Sequence, residues 1–174
     1  IRTIRLSADS AFKIRGADNW DDLNLGVGDM TITGTAAALV GGTGDAIVEA
    51  DADMFYLATL TTSDEGENYT LQLDSLSWGV IGNATPGGWN NSTDMTFDGD
   101  SSFTVSLMLE AGVDGAGDPF EYKFRVNNDW NYSLGTDLNA LKRDGENLSV
   151  STSGMYDVTL VATGGGDSYT ATVQ

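Results

Sequence analysis

The chain has 174 residues, 40% of them apolar, and carries a formal charge of −18 from 26 acidic and 8 basic residues. It contains neither Cys nor His, which removes disulfides, thiol nucleophiles, histidine bases and zinc sites of the usual kind. The charge repels nucleic acid and anionic membrane surfaces, and no apolar run approaches membrane-spanning length. Catalysis would have to rest on carboxylates, and no acidic pair sits in a recognisable glycosidase context. The chain is therefore expected not to be an enzyme, and to need no cofactor and no metal. It begins at Ile1 without initiator Met, signal peptide or tag, and reads as a mature or trimmed fragment.

Ile1–Ala8 alternates, with Ile4 and Leu6 set against Thr3 and Arg5, and reads as a strand. F-K-I-R follows at Phe12–Arg15, then G-A-D-N-W ending at Trp20 and D-L-N-L-G ending at Gly26. After it come M-T-I-T, a glycine-rich loop, D-A-I-V-E-A, and the pair M-F-Y-L-A-T-L and Y-T-L-Q-L around an acidic turn. Short strands with frequent turn signals predict an all-β chain of β-sandwich architecture.

The second half repeats this plan. Phe120–Gly135 reads F-E-Y-K-F-R-V-N-N-D-W-N-Y-S-L-G, a strand, a polar turn and an indole just beyond it. Lys13 and Lys123, Arg15 and Arg125, and Trp20 and Trp130 are each 110 positions apart. A constant offset over this pattern predicts two copies of one module, at 1–74 and 75–174. The second copy opens with W-G-V-I-G-N-A-T-P-G-G-W-N-N and M-T-F-D-G-D, for which the first has no equivalent. Aligning Ile4–Leu6 with Val105–Leu107 leaves the first sandwich without its opening strand or strands. Truncation of a longer protein is the simpler expectation, and self-association through that incomplete module, by strand donation, the sharper alternative.

A long cation, several amides and an exposed indole suit a sugar, whose C–H face stacks on an aromatic ring while its hydroxyls take directional hydrogen bonds. Each residue also has a plainer use. Trp78, in an apolar strand, reads as core, and Trp89, after P-G-G and before N-N, as exposed. Trp130 fits either environment. Lys123 could be a solvated cation, Arg125 a partner of Asp129 or Glu121, and Asn127, Asn128 and Asn131 ordinary turn formers. The acidic clusters Asp18–Asp22, Asp98–Asp100 and Asp114–Asp118 lack the spacing of a calcium loop and read as solvated turns.

From Trp78 to Trp89, and again through M-T-F-D-G, E-Y-K-F-R-V-N-N-D-W, R-D-G-E-N-L-S-V and G-M-Y-D-V-T-L, the chain resembles the glycan-binding modules of SusE/SusF-type outer-membrane lipoproteins. The resemblance covers Leu76–Gln174 well and Ile1–Asp74 in part. It implies tandem immunoglobulin-like β-sandwiches, lipid-anchored at the cell surface or extracellular, that hold starch or a related polysaccharide beside a porin-type importer without cleaving it. A more distant similarity to the glycogen-binding modules of AMP-activated kinase β-subunits implies a site of Trp89 and Trp130 with Lys123 and Asn147, assisted by Arg125 or Asn128. In the first copy Lys13, Arg15 and Trp20 would form a weaker site, with Asp45 near the late-amide position. The competing expectation is a structural β-sandwich subunit of an adhesin or extracellular filament.

Overall fold

The structure, a computed structural model, describes residues 1–16, 23–37, 40–41, 44–48, 54–63, 65 and 68–174. It is all-β and divides into two compact units, Ile1–Leu76 and Ser77–Gln174. The division falls two residues beyond the 74/75 boundary read from the sequence, because the Leu76 N–H still donates to Phe55 O in the first unit.

Unit 1 contains β1 (Arg2–Leu6), β2 (Ala11–Phe12), β3 (Ile14–Arg15), β4 (Asn24–Leu25), β5 (Thr31–Thr33), β6 (Val40–Gly41), β7 (Ala46–Val48), β8 (Met54–Ser63) and β9 (Asn68–Ser75). The main sheet has the order β1-β8-β9-β5, with β5 parallel to β9 and the other pairs antiparallel. Two smaller sheets, β2-β7-β6 and β3-β4, complete it. Leu25, Met30, Tyr56, Leu71 and Leu73 are buried, while Ile4, Ile14, Ala58 and Leu60 pack against them only partly buried.

Unit 2 contains β10 (Trp78–Gly82), β11 (Gly88–Asp94), β12 (Thr96–Phe97), β13 (Ser102–Leu109), β14 (Lys123–Val126), β15 (Ser133–Gly135), β16 (Lys142–Arg143), β17 (Gly154–Thr163) and β18 (Ser168–Val173). One sheet runs β11-β10-β14-β15-β16 and the other β12-β13-β17-β18. Alternation sends Trp78, Val80, Phe124 and Val126 to the inner face of the first sheet, and all four are buried. Phe103, Leu107, Leu160 and Tyr169 of the second sheet are buried as well. Trp78 joins the two layers, with its ring edge-on to Tyr169 at 5.1 Å and to Tyr132 at 5.9 Å. Its indole N–H has no hydrogen-bond partner, a cost this aromatic packing must outweigh.

Pairings recur between the units. Ser63 faces Asn68 at the end of the β8–β9 hairpin, as Thr163 faces Ser168 at the end of β17–β18. Ile14 faces Leu25 as Phe124 faces Leu134, with one extra residue between Trp20 and Gly26 absorbed in the connection. The Val27 N–H donates to Gly44 O as the Thr136 N–H donates to Glu146 O. Ile4 faces Tyr56 and Leu107 faces Tyr156, so β1 matches β13 two residues further along than the alignment of Ile4–Leu6 with Val105–Leu107. Period-two alternation looks the same after a two-residue slip, so hydrophobic pattern alone could not fix it. No strand of unit 1 among the described residues corresponds to β10, β11 or β12.

Candidate functional site

The site grows from the turn after β14. Asn127 and Asn128 have φ of 52° and 54°, left-handed values that asparagine tolerates better than most residues. The Asp129 N–H donates to Val126 O at 2.9 Å, closing the turn. Asn127 Oδ1 accepts from the Ser77 N–H at 2.8 Å, which ties the turn to the start of β10. Asp129 Oδ1 accepts from the Asn131 N–H at 2.8 Å, and Arg143 Nη2 donates to Asn131 O at 3.1 Å from the other side. Trp130 is held between these two anchors with 49% of its surface exposed.

Trp89 comes to the same place on β11. Gly88, at φ 57°, turns the chain into that strand. The two indole rings stand 6.0 Å apart between centroids with a 39° angle between their planes. Trp89, read from the sequence as exposed, is half-buried, because its ring packs beside that of Trp130. The pair forms a bent apolar surface with no room for a sugar between the rings.

Arg125 lies underneath. It is only 4% exposed, and its guanidinium carbon sits 4.9 Å from the centre of the Trp130 ring, within the range of cation–π attraction. Nε donates to Ser92 Oγ at 2.7 Å, and Nη2 to Asn128 Oδ1 at 3.3 Å and Asn90 O at 3.4 Å. Gly79 makes this possible: a Cβ there would stand 2.6 Å from Ser92 Cβ, so any side chain would push Ser92 off the guanidinium. Burial lowers the Arg125 pKa and the Asp129 carboxylate partly offsets it, and arginine stays cationic in any case. Neither Asp129 nor Glu121 forms an ion pair with it among the described residues. Arg125 is thus a support for Trp130 rather than a rim cation. The residues that hold it, Ser92 and Asn90, were missed in the sequence. The available signal was the polar run N-N-S directly after Trp89.

The other expected residues fall along β14 on the same face. Glu121, Lys123 and Arg125 alternate outward, opposite Tyr122 and Phe124. Lys123 is half-buried and about 7 Å of strand from Arg125. Asn147 is exposed, and its Nδ2 donates to Glu121 Oε2 at 2.7 Å, so it sits at the end of this row furthest from Trp130. In unit 1, Lys13 is ion-paired with Asp45 at 3.3 Å, and Arg15 is exposed on β3. Trp20 and Asp18–Asp22 lie outside the described residues. Asp98 and Asp114 accept hydrogen bonds from backbone N–H groups of their own turns.

No family model matches the chain, and neither does any curated protein.

Proposed function

We propose that unit 2 is a non-catalytic polysaccharide-binding module that captures starch-like or related glycans on the Trp89–Trp130 surface. The observation that carries the reading is the pair of adjacent indoles at 39°, Trp130 exposed and Trp89 half-buried, backed by a buried arginine. Exposed tryptophans are costly to leave in water, and a bent pair suits the curve of an α-glucan, which offers successive rings to successive indoles. By analogy with aromatic stacking on nucleic-acid bases, each contact contributes roughly 1–3 kcal/mol. Donors such as Lys123 add about 0.5–1.5 kcal/mol each. After association entropy this gives about micromolar to millimolar affinity per site, and repeated modules would raise the avidity.

In this reading Trp89 and Trp130 stack, Lys123 and Asn128 hydrogen-bond, Arg125 positions Trp130, and Asn147 serves only a glycan long enough to run the length of β14. The module is immunoglobulin-like and one of a tandem pair, which the matching pairings of the two units support. Unit 1 binds weakly or not at all, since Lys13 is occupied by Asp45. The protein works at the cell surface, lipid-anchored to an outer membrane or extracellular, and delivers glycan to a porin-type importer.

Retardation in native gels cast with starch, pullulan, laminarin or mannan tests the binding. At least one polysaccharide slows the protein, and Trp130→Ala, an exposed position, removes the retardation without changing the melting temperature. Equal migration of the two proteins in every gel would contradict the assignment.

A further inference from the structure

The 5 methionines of the chain fall into two environments. Met30 and Met95 are buried, Met95 at 7% exposure, whereas Met54, Met108 and Met155 are exposed at 37%, 42% and 65%. Met108 and Met155 are also neighbours. They are direct partners in the β13–β17 ladder, which puts their Cβ atoms about 4.5–5.5 Å apart. Both stand on the outer face of that sheet. Met108 alternates with Leu107 and Leu109, which are buried. The next outward pair along the ladder is Ser106 with Asp157, joined by a hydrogen bond from Ser106 Oγ to Asp157 Oδ1. An apolar pair on this polar face adds nothing to the core. What it presents to solvent is two adjacent thioether sulfurs, soft and polarizable. With no Cys in the chain, no thiol of this protein competes with them for an oxidant.

We propose that Met108 and Met155 form a site of reversible oxidation, with hydrogen peroxide as the oxidant. A sulfur lone pair attacks one peroxide oxygen, the O–O bond breaks and an S–O bond forms. The proton on the transferred oxygen passes to the departing hydroxide, which leaves as water. The sulfur is oxidised by two electrons and the peroxide is reduced by two. The polar sulfoxide is tolerated here because both side chains face water. At Met95, whose backbone N–H donates to Trp78 O at 2.8 Å, the same change would put a polar oxygen into the core of unit 2. A methionine sulfoxide reductase of the class matching each sulfoxide epimer reverses the step: two thiols give up two electrons and become a disulfide, and the oxygen leaves as water. This inference is independent of the glycan reading. The methionine pair lies on the β12-β13-β17-β18 sheet, whereas Trp89 and Trp130 belong to β11 and the turn after β14, in the other sheet.

The test exposes the whole 174-residue chain to dilute hydrogen peroxide and follows each methionine by peptide mapping and mass spectrometry. Met155 and then Met108 should each gain one oxygen, with Met95 about tenfold slower or more, since reactivity follows exposure. In denaturant all five should react at similar rates. Protein oxidised at both positions should melt at the unmodified temperature and keep the indole N–H NMR signals of Trp89 and Trp130 in place. The two reductase classes together should then remove both oxygens. Met108→Leu combined with Met155→Leu keeps an apolar pair and should abolish the fast uptake at these two positions. Oxidation of Met95 as fast as Met155, or a rate order that survives denaturation, would overturn the proposal. So would a lowered melting temperature on oxidation of the pair, or oxygen retained after treatment with both reductases.

Discussion

Lys13-Ile14-Arg15 in unit 1 and Lys123-Phe124-Arg125 in unit 2 stand on matching strands, yet their surroundings differ sharply. Arg125 is buried beneath an indole and held by Ser92, Asn90 and Asn128, while Arg15 is exposed. Phe124 is fully buried, while Ile14 lines an open groove. Both differences trace to β10 and β11. β10 delivers Trp78 and Val80 to the inner face and so closes the core. β11 delivers Trp89 and Ser92 to the outer face and so builds the aromatic surface and braces the arginine. A single stretch of chain thus both closes the core of unit 2 and builds its aromatic surface.

The sharpest way to break this comparison is to truncate the matched core pair. Phe124→Ala should destabilise unit 2 by about 3–5 kcal/mol, as expected for a fully buried aromatic. Ile14→Ala in unit 1 should fall below the roughly 2 kcal/mol at which buried aliphatic truncations begin. Separate thermal transitions for the two units would read both values, and an equal loss at the two positions would remove the distinction between a closed and an open core.

The matched arginines come next. Arg125→Ala takes the donor from Ser92 and Asn128 and the support from Trp130. It should cost about 1–3 kcal/mol of stability and weaken glycan retardation although the guanidinium is too buried to reach the ligand. Arg15→Ala, at an exposed position, should stay within about 0.5 kcal/mol. If Arg125→Ala kept full glycan affinity, the supporting role would fall.

A smaller difference concerns pH. Burial, with a lesser contribution from Tyr156, pushes the Tyr122 hydroxyl up from 10.0 to about 12. The folded state then keeps a proton that the unfolded chain releases, so stability falls as pH rises above 10. The matching residue of unit 1 is Phe12, which cannot titrate. Tyr122→Phe should flatten the alkaline decline of the unit 2 transition, measured by denaturant midpoints between pH 9 and about 12.

Much of the fold was legible because alternation and turn chemistry are local. W-G-V-I-G read as core and Trp78 is core; N-N read as a turn, and both asparagines take left-handed φ. The register of β1 was not legible, since a slip of two residues preserves every inward-facing side chain. Arg125 was legible as outward-facing but not as buried. Its burial comes from Asn90 and Ser92 on β11, far away in sequence, and periodicity within one strand says nothing about what covers its outer face. The closeness of Trp89 and Trp130 depends on the order β11-β10-β14, which spacing alone does not reveal.

The most direct measurement follows the indole N–H signals of the chain by NMR during titration with a soluble α-1,4-linked glucan oligosaccharide. The account predicts saturable shifts of the Trp89 and Trp130 signals together, with the Trp78 signal, sealed in the core, unmoved. Saturating shifts elsewhere with Trp89 and Trp130 unchanged, or a Trp78 signal that moves in their place, would contradict it.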